Sequence, residues 1–125
     1  MNGLRAFFEA YGDSFTKGPA AIAAFYAEPC ITARAGNVRL SPTRKDTEAF
    51  FTGVDENYRE RGFRQGAILF MIEQSLGANS AIATIQWAYQ DAGGRTLWES
   101  TFSYNVYKLG GGWKILLQTM HDHGA

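Results

Sequence analysis

The chain has 125 residues, which is one domain by size and enough to bury roughly two thirds of its unfolded surface around a single core. Twelve Lys plus Arg balance twelve Asp plus Glu, so there is no basic face or Lys/Arg run of the kind nucleic-acid binding needs. One cysteine excludes an internal disulfide and a multi-thiolate zinc site. The absence of an apolar stretch of signal-peptide or membrane-span length points to a soluble cytoplasmic protein with no membrane partner.

Leu4, Phe7, Phe8, Tyr11 and Phe15 recur at three- and four-residue steps, the stripe of an amphipathic helix. "KGP" ends it, and a short second helix, "PAAIAAFYAE", carries Ile22, Phe25 and Tyr26. "PCITARAGNVRLS" then reads as a strand pair turning at Ala35-Gly36-Asn37. A third helix follows, with Ser41 as N-cap, Pro42 as first residue, Gly62 as terminator, and Phe50, Phe51, Val54 and Tyr58 as its buried stripe.

From Phe63 onward four long strand patterns are separated by "GAN", "AGG" and "GGG", tight turns that join antiparallel neighbours into a meander. Ala81, Ala83, Ile85, Trp87 and Tyr89 share one face of the second of these strands. Trp98, Ser100, Phe102, Tyr104 and Val106 share one face of the third. Thr84, Gln86, Gln90, Glu99, Thr101, Ser103 and Asn105 form the wetter opposite face. The predicted fold is α+β in the order α-α-β-β-α-β-β-β-β over residues 1–125, a curved antiparallel sheet wrapped around helices as an open cone.

That order resembles the nuclear-transport-factor-2-like superfamily, which includes SnoaL-like polyketide cyclases and ketosteroid isomerase. The residues that carry the resemblance are "FYAE" at 25–28, the alternating "AIATIQW", and a glycine turn followed by "GWKI" at 112–115. It spans essentially the whole chain and implies a ligand pocket inside the cone, without fixing a function. Ketosteroid isomerase places an aspartate base just after the second helix. Here that segment reads "CITARAG", with Ala33, Arg34 and Ala35 where the acid is expected, and Tyr11 falls one residue from an ungapped match to the oxyanion-hole tyrosine. The isomerase base is therefore missing, and Arg34 suits an anionic ligand or a solvated strand end.

A cyclase of the SnoaL type needs an acid–base group in the cone, for which Glu73, Glu99 and His121 are the candidates. Counting in twos from Trp113 through Ile115, Leu117 and Thr119 puts His121 on the inward face, which makes it the best of the three. "HDH" at 121–123 is a poor metal site, because two same-side histidines need further ligands, the chain has no other histidine, and a third ligand would have to be a distant Asp or Glu. His123 is expected to be dispensable. The expected ligand-binding set is Tyr26, Arg34, Tyr58, Trp87, Phe102, Tyr104 and His121, around a small apolar or aromatic molecule, with no metal and no cofactor. This small-molecule-binding reading extends to a cyclase- or isomerase-type enzyme. The competing reading is a non-catalytic association domain that forms a homodimer through Thr84, Gln86, Thr101, Ser103, Asn105 and Tyr107 on the outer sheet face.

Overall fold

The structure, a computed structural model, describes residues 3–122. Helices α1 (Leu4–Ser14) and α2 (Pro19–Ala23) precede strands β1 (Tyr26–Arg34) and β2 (Asn37–Ser41). Helix α3 (Arg44–Glu60) leads into β3 (Gln65–Ser75), β4 (Ser80–Gln90), β5 (Thr96–Leu109) and β6 (Gly112–Met120). The six strands form one unclosed sheet in the order β2-β1-β6-β5-β4-β3. The predicted element order and the four-stranded meander are both present. The sheet is mixed, however, because β1 lies parallel to β6. Only a long excursion can join parallel neighbours, and here β2, α3 and the rest of the meander supply it.

Local chemistry moves two boundaries from their predicted places. The second helix ends at Ala23, and Tyr26 starts β1 opposite Ile115 of β6, whose amide donates to Phe25 O at 2.9 Å. Sheet pairing thus overrides the helical run of alanines. The N-cap of α3 is Thr43, not Ser41, which stays in β2. Thr43 and Asp46 form a capping box, each side chain accepting from the other's backbone amide, and the Glu28 carboxylate accepts from Arg44 N. Two acidic groups therefore sit against the positive end of the helix dipole. The β1–β2 turn holds both Ala35 (φ 50°) and Gly36 (φ 81°) at positive φ, as a two-residue hairpin turn of the primed class requires.

The inward face of the sheet matches the alternation in β4 and β5: Ala81, Ala83, Ile85, Trp87, Tyr89, Phe102, Tyr104 and Val106 are all buried. Against it lie Leu4, Phe8 and Tyr11 of α1, then Phe51 and Tyr58 of α3. Register shifts occur in β1, β3, β5 and β6, and two of these bulges matter most for the site. One falls at Leu69 in β3, between the pairs Ile68–Trp87 and Phe70–Gln86. The other falls at Leu116 in β6, between Val106–Ile115 and Asn105–Leu117. Each extra residue flips the alternation of its strand beyond that point and increases the local twist.

Helix α1 approaches the sheet closely at Gly12, where a methyl group would lie 2.8 Å from Trp87 Cζ3. Gly12→Ala should therefore destabilise the fold. Overpacking against a rigid indole costs about 1–3 kcal/mol, more than the ~0.5–1 kcal/mol that removing a helix-interior glycine returns. A lowered urea midpoint with an unchanged slope is the expected result.

Candidate functional site

Between α1, α3 and the inward sheet face lies an aromatic cavity enclosing about 410 Å³ of space between atoms, part of it open to solvent. It is narrow: the centre of a water-sized sphere has about 30 Å³ to explore. Of the expected ligand-binding residues, Arg34, Tyr58, Trp87, Phe102 and Tyr104 line this cavity together. Tyr26 stands behind the wall, connected to it through hydrogen bonds to Tyr11 and Gln118.

His121 is elsewhere. Because the Leu116 bulge shifts the alternation by one, Gln118 and Met120 take the inward positions opposite Tyr104 and Phe102. Leu117 and Thr119 turn outward, and His121 follows them. It is exposed on the outer face, with Nε2 2.8 Å from Ser103 Oγ. The inward assignment of His121 is therefore corrected, and its claim to touch a ligand in the cone goes with it. Glu99 is exposed on the same outer face and accepts from Gln86 Nε2 at 2.9 Å, while Glu73 is exposed on the edge strand β3. His123 lies outside the described residues. Among those residues no cluster of three or more His, Cys, Asp or Glu could hold a metal ion.

Each polar group inside the cone has a specific partner. Gln118 Nε2 donates to Tyr26 OH at 2.8 Å, and the Tyr26 and Tyr11 hydroxyls share a bond at 2.7 Å. Trp87 Nε1 donates to Tyr104 OH at 2.9 Å, and Tyr89 OH pairs with Ser100 Oγ at 2.6 Å. Arg34 donates to Tyr58 OH at 3.2 Å, with its guanidinium 5.5 Å from the Phe102 ring centre and 5.8 Å from that of Phe50. One exception stands out: Gln118 Oε1 is buried with no partner among the described residues. The sequence pattern missed Gln118 and Tyr89 as site residues. Tyr89 was legible as an inward residue, but Gln118 was hidden by the bulge.

Burial is the main reason that the phenols of Tyr11, Tyr26, Tyr89 and Tyr104 are all held above their ordinary pKa; charge repulsion among neighbouring tyrosines adds to it. At neutral pH they are uncharged hydrogen-bonding groups. For Arg34, burial opposes the charge, but the surrounding tyrosine oxygens, Tyr58 first, outweigh it and move its pKa upward. Arg34 is thus a permanent cation in an aromatic wall.

The profile of the family described as "NTF2-like protein (DUF6841)" matches residues 2–123, and the chain belongs to that family. No curated protein matches it in sequence. Among solved structures it is similar to a protein of unknown function with a cystatin-like fold from Nostoc punctiforme (11% identity, TM-score 0.77, 97% of this chain and 90% of that one). It is also similar to an NTF2-like protein from Novosphingobium aromaticivorans (16%, 0.75, 98% and 81%). A third is a putative calcium/calmodulin dependent protein kinase II association domain from Xanthomonas campestris (18%, 0.71, 96% and 86%). At these identities the likeness shows the fold alone.

The raised phenol pKa values set an alkaline limit. An unfolded tyrosine loses its proton near 10.0, whereas the folded groups keep theirs. Above that pH the unfolded state binds fewer protons, so stability falls as pH rises. Their contribution is complete below about pH 9 and declines from about pH 10 upward. Melting temperature followed from about pH 8 to about pH 11 should drop together with the 295-nm phenolate signal. Phenolate absorbance appearing near pH 10 for all six tyrosines of the still-folded chain would contradict this.

Proposed function

We propose that this protein binds a small, largely apolar organic molecule inside the cone. The observation that carries the reading is the aromatic cavity itself: apolar walls, a few converging polar groups, and one buried polar atom without a partner among the described residues. Ligand sites have that composition, and native cores leave few such atoms unpaired. Binding is favoured over cyclase- or isomerase-type turnover. No Asp, Glu or His among the described residues lines the cavity. Proton transfer would then fall to phenols that burial holds neutral. A cytoplasmic location is part of the same proposal. With no net charge the chain offers neither nucleic acid nor an anionic membrane surface an attractive field.

Titration with a neutral single-ring probe, methyl 4-hydroxybenzoate, followed by NMR, tests the reading. Saturable shifts should centre on Trp87, Phe102 and Tyr104, with a gain of about 1.4 kcal/mol in stability at ten times Kd. Absence of saturable shifts for this probe and for single-ring acids alike, up to millimolar concentration, would remove it.

A second reading rests on the outer sheet face and is compatible with the first. Val38 (78% exposed), Ile72 (61%) and Leu40 (59%) stand in the open, with Ile31, Phe70 and Tyr107 also exposed. Among them lie Thr84, Gln86, Thr101, Ser103 and Asn105, which add few charges. A second copy of this chain is the proposed occupant, and the similar Xanthomonas protein carrying the name of an association domain supports it. Light scattering at micromolar concentration should give twice the 13.8 kDa of the monomer, and Ile72→Lys should restore the single mass. A wild-type monomer would overturn the dimer.

A further inference from the structure

The reading of the cone as a ligand pocket can be deepened to a ligand class, because its polar groups are mismatched in a particular way. Arg34 has five N–H groups and one bond to protein, to Tyr58 OH, which leaves four without a protein acceptor among the described residues. None of the ion pairs there involves Arg34, and the cavity wall contains no carboxylate. Asp122 shares the groove at the β1–β2 turn with Arg34 but forms no ion pair with it. A cation set half-buried against two phenyl rings with no ion pair among the described residues is an unusual thing for a fold to keep, since the charge is costly to desolvate. Arg34 also borders two outside grooves, one along α3 at Phe50 and Asn57, the other at the β1–β2 turn. It therefore stands at the mouth of the cone.

Deeper in, the second mismatch has a different character. Gln118 Oε1 is an acceptor without a donor. Gln118 Nε2 already donates to Tyr26 OH, and Tyr26 and Tyr11 share one further bond. Two phenolic hydrogens serve that single bond, so one is left over in the same buried network. One hydroxyl resolves both: its hydrogen goes to Gln118 Oε1 and its oxygen accepts the spare phenolic hydrogen. The same hydroxyl serves if the amide is turned over, since it then accepts from the amide nitrogen. A carbonyl only accepts and an ammonium only donates, so neither serves both arrangements.

The sheet register puts the two groups on neighbouring inward levels of the sheet. Gln118 lies opposite Tyr104 on β5 and Thr32 on β1. Phe102, the ring under the guanidinium, lies opposite Met120, two residues further along β6. Two residues of strand are about 6.6 Å, close to the length of a benzene ring measured between its para substituents. The aromatic walls between the two levels suit a flat body.

The geometry points to a single-ring aromatic acid with a hydroxyl at the far end: the carboxylate pairs with Arg34 at the mouth, and the hydroxyl bonds Gln118 and the tyrosine pair at depth. Arg34 and Gln118 are the specificity-determining residues. A planar guanidinium matches a carboxylate with two parallel bonds, which a lysine cannot do.

The test uses three probes on the full chain by calorimetry: 4-hydroxybenzoate, its methyl ester, and benzoate. Wild type should bind 4-hydroxybenzoate at least tenfold more tightly than either of the others. Arg34→Met should abolish the difference between acid and ester, and Gln118→Met the difference between 4-hydroxybenzoate and benzoate. Thermal melts confirm that both variants are folded. Equal affinity for acid and ester in wild type would overturn the anion assignment while leaving the pocket in place. Equal affinity for 4-hydroxybenzoate and benzoate would overturn the hydroxyl assignment. Failure of all three probes to bind would remove the pocket reading and this one with it.

Discussion

A buried phenol or amide must be paired, because leaving it unbonded costs about 1–3 kcal/mol, and that constraint organises the interior of this protein. The inward face of the sheet supplies bulk through Phe102, Tyr104, Trp87 and Tyr89, which pack against Phe8, Tyr11, Phe51 and Tyr58 of the helices. The hydroxyls of Tyr11, Tyr26, Tyr89 and Tyr104 and the indole nitrogen of Trp87 find partners across elements: α1 to β1, β1 to β6, β4 to β5. These bonds add direction to contacts that hydrophobic burial alone would leave free to slide. They also make departures from pairing conspicuous. Arg34 and Gln118 are the departures, and both face the same cavity.

Much of this was legible in the sequence, and the exceptions share a cause. Strands β4 and β5 alternate cleanly, so Trp87, Phe102 and Tyr104 could be placed inward from period two alone. In β6 the run Ile115-Leu116-Leu117 is apolar at three successive positions and gives no sign of which residue is extra. The bulge at Leu116 is fixed by pairing with β5, a property of two strands together. It carries Gln118 into the cavity and His121 out of it. Tyr26 was misplaced for a related reason, since "AAFYAE" favours a helix locally and only the pairing with β6 draws it into β1. At α3 the competition was between two valid caps. Thr43 prevails over Ser41 because Asp46 returns its hydrogen bond.

The same superfamily fold that elsewhere positions an acid after the second helix here positions a cation. With "CITARAG" in that segment the cone has a fixed positive charge near its mouth, neutral phenols inside, and no group among its described walls that titrates near neutral pH. Such a field disfavours abstraction of a proton by a carboxylate and favours residence of an anion. The fold contributes a curved sheet and a pair of covering helices.

The most direct measurement of this account is side-chain NMR of the ¹⁵N-labelled protein during titration with 4-hydroxybenzoate. The account predicts that the Arg34 Nε–H and Gln118 Nε2 signals shift together along one saturable curve, joined by the Trp87 indole. The Trp113 indole, which does not line the cavity, stays in place. Shifts confined to outer-face residues such as His121, with Arg34 and Gln118 unmoved, would contradict it.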